Sequence, residues 1–263
     1  KKLIKLNNLN LKNTTEQLID TFLEAGKIAK EISQRGVKVT IKSDKSPVTD
    51  ADLAVDKILT VKIKKLTPSI PVISEETVNL NIENSSKTFW LIDPIDGTKD
   101  YIKKKDEYTL NAALIIDCKP AIGIVYAPAK NRIFFSYGKD HAFEINNEKK
   151  IVLNCKKVNT NEIIGLENSD ATPSEVLKIY KKYKVSRTVQ MSSSIKFCII
   201  ASGEADIYAA NARAFEWDIA AGHTILEHAG GSITTQEGEN ILYGKENYKN
   251  LGIIAKRAKN LEK

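Results

Sequence analysis

The amino-acid sequence predicts a layered α/β fold, in which a β-rich N-terminal lobe with flanking helices precedes a smaller α/β lobe. Three observations carry that prediction. Apolar residues recur at helical spacing in two stretches before residue 68, and turn-punctuated apolar segments fill residues 109–145. Beyond residue 157 strand-like and helix-like segments alternate, which is the pattern of sheets covered by helices.

In chain order, Thr14 and Gln17 form a capping-box pattern ahead of Leu18, Phe22, Ala25, Ala29 and Ile32 at helical spacing, and Gly36 stops the helix. Residues 37–41 read as a short strand before the polar loop 42–47. A second helix is expected after Thr49, with Ala51, Val55, Ile58, Leu59 and Leu66 roughly on one face and Pro68 and Pro71 beyond its end. Val72-Ile73 and residues 89–92 read as buried strands. Segments 109–116, 121–127, 133–137 and 142–145, separated by turn residues, resemble an antiparallel meander. Residues 163–166 and 207–209 then read as strands and 175–183, 194–202 and 218–229 as helices, the last closed by Gly230-Gly231. The expected lobes are 1–157 and 158–263.

A chain of 263 residues can form one large domain or two lobes sharing a core. Its apolar runs are strand-sized, too short to span a bilayer, and the first twelve residues lack the apolar stretch of a signal peptide. Cys118, Cys155 and Cys198 are odd in number and scattered, which suggests neither a disulfide framework nor a zinc site. The expected location is therefore the cytoplasm, with association at the inner membrane surface left open. Lys and Arg outnumber Asp and Glu by 40 to 33, a balance that suits an anionic small molecule. The basic residues fall in short runs along the whole chain and no nucleic-acid-binding motif accompanies them, so no nucleic-acid partner is expected.

The chemistry concentrates in carboxylates. In Trp90-Leu91-Ile92-Asp93-Pro94-Ile95-Asp96-Gly97-Thr98-Lys99-Asp100, an apolar strand runs into two acids separated by Pro-Ile. Asp93 and Asp96 are close enough in sequence to share a metal cluster, and the Ile95 carbonyl can add an oxygen; hard cations such as Mg²⁺ take oxygen ligands. If a helix begins near Gly97, the amides of Gly97 and Thr98 would face an anion. Three further acidic groups follow a strand or open a helix: Glu75-Glu76 after Val72-Ile73, Glu216 and Asp218 near a helix start, and Asp52 after Thr49. Each has a plain alternative, as a solvated loop or a helix cap.

Together these segments resemble the inositol-monophosphatase superfamily. Its Asp-Pro-hydrophobic-Asp-Gly-Thr string is matched without a gap by Asp93 to Thr98, its upstream Glu-Glu by Glu75-Glu76, and its Trp-Asp-x-Ala-Ala-Gly by Trp217 to Gly222. Ala51-Asp52 matches the helix start that precedes them. Within the superfamily, Thr98-Lys99-Asp100-Tyr101, the segment Ser43 to Thr49 and Ser193-Ser194-Ile195-Lys196-Phe197 are similar to the bacterial 3'(2'),5'-bisphosphate nucleotidase branch. Ser192 stands where that branch usually has Gly, which puts the approach of backbone to nucleotide in question.

The resemblance implies a sugar-phosphatase-like αβαβα sandwich and two to three Mg²⁺ ions. Glu75, Asp93 and the Ile95 carbonyl would hold one ion, Asp93, Asp96 and Asp218 a second, and Glu75 would help with a third. Thr98 and Asp52 would orient and deprotonate the attacking water, with Glu76 in support. Lys45, Gly97, Thr98, Ser193, Ser194, Lys196 and Glu216 would contact the substrate. His141, His223 and His228 read as structural, since no covalent nucleophile is needed. The expected reaction removes the 3'-phosphate of adenosine 3',5'-bisphosphate, a by-product of sulfate-donor metabolism. An inositol phosphate or fructose bisphosphate substrate is the alternative on the same scaffold, and a nucleotide-binding protein without catalysis is a more distant one. The partner is thus a small nucleotide or sugar phosphate; the sequence leaves the oligomeric state unknown and leans to a monomer.

Overall fold

Asn10 caps the first helix, α1 (Leu11–Arg35), its side-chain oxygen accepting from the Asn13 amide at 2.9 Å. The computed structural model describes residues 9–80, 85–155, 161–168, 171–258 and 261. The helix therefore starts ahead of the expected Thr14–Gln17 box. Thr14 and Thr15 are buried within its opening turns, where Thr15 Oγ1 donates back to Leu11 O at 2.8 Å. A hairpin of β1 (Val39–Ile41) and β2 (Pro47–Thr49) leads into α2 (Asp50–Leu66). Here the expected capping pattern forms: Thr49 Oγ1 accepts from Asp52 N, and the Asp52 carboxylate accepts from Thr49 N at 2.7 Å.

The main sheet has seven strands in sequence order: β3 (Val72–Ser74), β4 (Phe89–Asp96), β5 (Thr109–Ile116), β6 (Lys119–Ala127), β7 (Arg132–Ser136), β8 (Ala142–Asn146) and β9 (Lys149–Val152). Strands β3 and β4 pair in parallel and every later pair is antiparallel, so the expected meander is present and β9 extends it. A short helix, α3 (Thr98–Ile102), sits between β4 and β5. The second sheet contains β10 (Ile164–Glu167), β11 (Arg187–Gln190), β12 (Ile207–Ala210), β13 (Ser232–Thr235) and β14 (Ile253–Lys256), in the spatial order β11-β10-β12-β14-β13. Helices α4 (Ser174–Lys182), α5 (Ile195–Ala201) and α6 (Glu216–His228) accompany it.

Burial orders these elements into layers. Helices α1 and α2 cover one face of the main sheet, packing Leu18, Phe22 and Leu59 with Trp90, Ile92 and Ile124. The other face meets α5 and α6, through Phe197, Ile225 and Leu226 with Phe89, Leu91 and Val125, and that core also takes in Leu166, Tyr208 and Ile253 of the second sheet. Helix α4 covers the far side through Val176 and Tyr180 with Ile207 and Ile254. The result is the predicted helix–sheet–helix–sheet–helix sandwich. Each such buried side chain contributes roughly 1.5–3 kcal/mol of transfer free energy. The middle layer is tight: a Cβ on Gly123 of β6 would lie 2.4 Å from the Ala221 carbonyl of α6, and one on Gly222 would lie 2.5 Å from the Phe197 ring. The expected lobe boundary at residue 157 lies outside the described residues.

Candidate active site

Strand alternation would put residues three apart on opposite faces of a sheet. In β4 a bulge prevents this, because Asp93 pairs with Asn111 and Asp96 with Thr109, leaving one extra residue on the β4 side. Pro94, which has no amide hydrogen to donate, lies in this irregular stretch. The consequence is a division of labour along the strand. Ile92 and Ile95 join the core under α1 and α2, while Leu91 belongs to the core facing α6, the side from which Asp218 reaches the acids.

Glu75 follows β3 directly, its amide donating to Ile92 O at 3.1 Å. Asp218 lies in the first turn of α6, where its carboxylate accepts from Phe215 N at 2.7 Å. Glu75, Asp93 and Asp218 each offer an oxygen within 4.8 Å of the others. Asp93 is 2% exposed, and its Oδ1 is buried without a hydrogen-bond partner. Burial, then the charges of Glu75, Asp96 and Asp218, push the Asp93 carboxyl well above the usual carboxylate range; burial, then Asp96 and Glu75, do the same to Asp218. Burial also raises Asp96, despite Lys196 nearby and the Ser194 amide donating to its Oδ2. Clustered oxygen donors with an orphaned buried carboxylate oxygen fit a hard divalent cation such as Mg²⁺, which would relieve their mutual repulsion.

Beside this cage, Thr98 Oγ1 lies 3.0 Å from the Ile95 carbonyl and 3.4 Å from Asp52 Oδ1. Asp52 Oδ2 meanwhile serves the α2 cap, so one carboxylate is both cap and neighbour of the Thr98 hydroxyl. Burial raises its pKa. Glu76, raised chiefly by burial, pairs with Lys42 at 2.8 Å, and Lys42 also lies 3.5 Å from Glu75. Lys42, which sequence reasoning did not single out, is thus the hairpin lysine that meets the acids. Lys45 is exposed at the hairpin tip with φ 69°, its amide closing a turn onto Lys42 O, and does not line the cleft. Asp56 was also missed: it accepts from Ser74 Oγ just before Glu75 and steadies the β3 end.

A cleft of about 630 Å³ opens from Asp96 and Asp218, with Gly97, Thr98, Ser193, Ser194 and Lys196 in its wall. Basic residues Lys99, Lys103, Lys105 and Arg213 line it too. Gly97 has φ 89°, and a Cβ there would lie 2.9 Å from the Glu107 carbonyl, so glycine is required. Ser193, not Ser192, takes the left-handed backbone of the turn, at φ 60°, and Ser192 donates its amide to Glu107 Oε2 at 2.9 Å. Ser192 therefore does not hold the turn position that would favour glycine. Ser194 is held by Asn111 and Thr109. Lys196 is 4% exposed, donates to Met191 O and Ser193 O, and lies over the Tyr208 ring. Burial and, more weakly, Arg213 lower its pKa to about 8 against the pull of Asp96. Glu216 is a second correction: it is fully buried, accepts from Gly244 N and Lys245 N, pairs with Lys245, and is outside the cleft wall. It anchors a loop to α6. His223 also has a structural partner, Tyr243 OH at 2.7 Å.

A sandwich with a carboxylate cage at the end of its main sheet, opening on a cleft with a basic wall, is an architecture for handling phosphate with a divalent cation. The chain belongs to the inositol monophosphatase family, whose model matches residues 10–263. It is 39% identical to the 3'(2'),5'-bisphosphate nucleotidase CysQ of Buchnera aphidicola over 215 residues, 80% of this chain and 79% of that one. Against the CysQ nucleotidase of Escherichia coli K12 it is 35% identical over 217 residues, 81% and 87% of the two chains. The crystal structure of CysQ from Bacteroides thetaiotaomicron superposes with a TM-score of 0.76 at 27% identity, covering 93% of this chain and 97% of the other. No described helix is long and apolar enough to cross a membrane.

Proposed function

We propose that this chain is a Mg²⁺-dependent phosphomonoester hydrolase that removes the 3'-phosphate of adenosine 3',5'-bisphosphate, giving AMP and phosphate. The observation that carries the reaction is the orphaned, buried Asp93 Oδ1 among the oxygens of Glu75 and Asp218. The nucleotide is supported by the likeness to CysQ nucleotidases and by the polar, partly basic cleft that opens from the same acids. Glu75, Asp93 and the Ile95 carbonyl would hold one ion, Asp93, Asp96 and Asp218 a second, and Glu75 would contribute to a third. Bound there, Mg²⁺ supplies Lewis acidity and positive charge at the reacting phosphate.

The protein's own groups do the rest. Thr98 positions a water against phosphorus, and Asp52 Oδ1 receives a water proton through the Thr98 hydroxyl, a role its raised pKa suits. The water oxygen bonds to phosphorus, the bond from phosphorus to O3' breaks, and O3' leaves with a proton from solvent. Lys196, Ser193 and Gly97 bind substrate oxygens, so catalysis rests on positioning and electrostatics without a covalent enzyme intermediate. Chromatography of the products tests the regiochemistry. AMP with its 5'-phosphate intact is expected, and adenosine 3'-phosphate would overturn the assignment.

A further inference from the structure

Among the described residues that line the cleft, two carry buried side-chain atoms with no hydrogen-bond partner: Ser193 and Asn250. Ser193 belongs to the Lys196 turn already described. Asn250 has been given no role. It is 6% exposed, and both its Nδ2 and its Oδ1 are unpartnered. Buried side-chain polar atoms are nearly always paired, and an amide with both ends unpaired in a ligand cleft points to a ligand.

Its surroundings say which kind. The Asn250 amide hydrogen is bonded to Ala214 O at 3.0 Å, and Lys249 bridges to Phe215, so the residue is tied to the segment that leads into Asp218. Tyr208, Ala210, Ala214, Ile219 and Leu251 contribute apolar surface to the same cleft. A phosphate would gain nothing from such surface and a polyhydroxylated ring less than a heterocyclic base, whose flat apolar faces would be desolvated by it. An Asn side chain presents a donor beside an acceptor, and adenine presents the complementary pair, its 6-amino hydrogen beside a ring nitrogen.

We infer that Asn250 reads the base of the substrate, pairing with the amino edge of adenine while the cage holds the 3'-phosphate. This inference rests on the nucleotidase reading and adds a specificity-determining residue to it. The test uses the full chain with Mg²⁺ and three substrates: adenosine 3',5'-bisphosphate, the purine riboside analogue lacking the 6-amino group, and ribose 3,5-bisphosphate. Wild type should prefer the adenosine compound over each of the others in kcat/KM. In Asn250→Ala, and equally in Asn250→Leu, that preference should fall roughly ten- to a hundredfold, the range of a bidentate amide–adenine contact, and appear in KM rather than kcat. Circular dichroism checks that the variants fold, and the wild-type comparison of adenosine with purine riboside needs no variant. Equal losses on all three substrates, or a wild type indifferent to the amino group, would overturn the base-reading role alone. Failure of wild type to hydrolyse any nucleotide while it hydrolyses inositol 1-phosphate would instead remove the nucleotidase reading on which it stands.

Discussion

The acidic end of the cleft and its recognition wall are built differently. Asp93 and Asp96 flank a strand bulge, Glu75 follows a strand, and Asp52 and Asp218 sit in the first turns of helices. The wall proposed to recognise substrate is carried by shorter pieces: the Ser192–Ser194 turn, the seven-residue α5 with Lys196, and Asn250 beside an isolated bridge. Carboxylates that repel one another stay together only if the backbone leaves them no alternative, and the ends of regular elements impose that. Lys196, by contrast, keeps two carbonyl partners and the attraction of Asp96, which partly offset its burial and the repulsion of Arg213. Crowded charge therefore demands rigid scaffolding, while recognition tolerates loops.

The largest effect should come from the rigid end. Asp93→Asn should lower kcat roughly a hundred- to a thousandfold, as loss of an electrostatic element does. Because Asp93 is a repelled buried acid, the metal-free variant should melt at or above the wild-type temperature, and Mg²⁺ should no longer raise its melting point. Wild-type-like turnover, or an unchanged Mg²⁺ shift, would dissolve the distinction between the two ends.

Smaller effects are expected at the wall. Lys196→Ala should raise KM for adenosine 3',5'-bisphosphate about tenfold, the scale of one charge-assisted contact, and affect a small sugar phosphate less. With a pKa near 8, the Lys196 ammonium is mostly charged at neutral pH and mostly neutral one unit above 8. Nucleotide kcat/KM should accordingly fall as pH rises through that value, and the alanine variant should lose this limb of the profile. Equal KM effects on both substrates would withdraw Lys196 from recognition.

The smallest effect concerns Lys42, the cation paired with Glu75 and Glu76. Lys42→Met should destabilise the metal-free protein by about 1 kcal/mol, as for a partly exposed ion pair, and calorimetric unfolding reads this. The Mg²⁺-induced rise in melting temperature should then be larger than in wild type, because the cation competes with nothing.

What the sequence makes legible follows the same contrast. Asp93, Asp96, Glu75, Asp218 and Asp52 stand out as acids at strand ends and helix starts, but each alone reads equally as a loop or cap, and only the resemblance to the inositol-monophosphatase superfamily implies a shared site. The layered order follows from the apolar periods. The start of α1 was misplaced because Thr14 and Thr15 imitate a cap while the real cap, Asn10, precedes them. Strands β9 and β11 lack an inward apolar run, being exposed along almost their whole length. Lys42 meets Glu75 and Glu76, and Glu216 meets the Gly244-Lys245 amides, through hairpin and loop contacts between residues far apart in sequence. Asn250 has no local signature, since its meaning lies in the partners it lacks.

Phosphate release from adenosine 3',5'-bisphosphate, inositol 1-phosphate and fructose 1,6-bisphosphate, assayed in parallel with and without Mg²⁺, decides whether both ends of the cleft have been read correctly. A strong Mg²⁺-dependent preference for the nucleotide is expected. Preference for either sugar phosphate would keep the carboxylate cage and contradict the nucleotide assignment, and no release from any of the three would contradict the hydrolase itself.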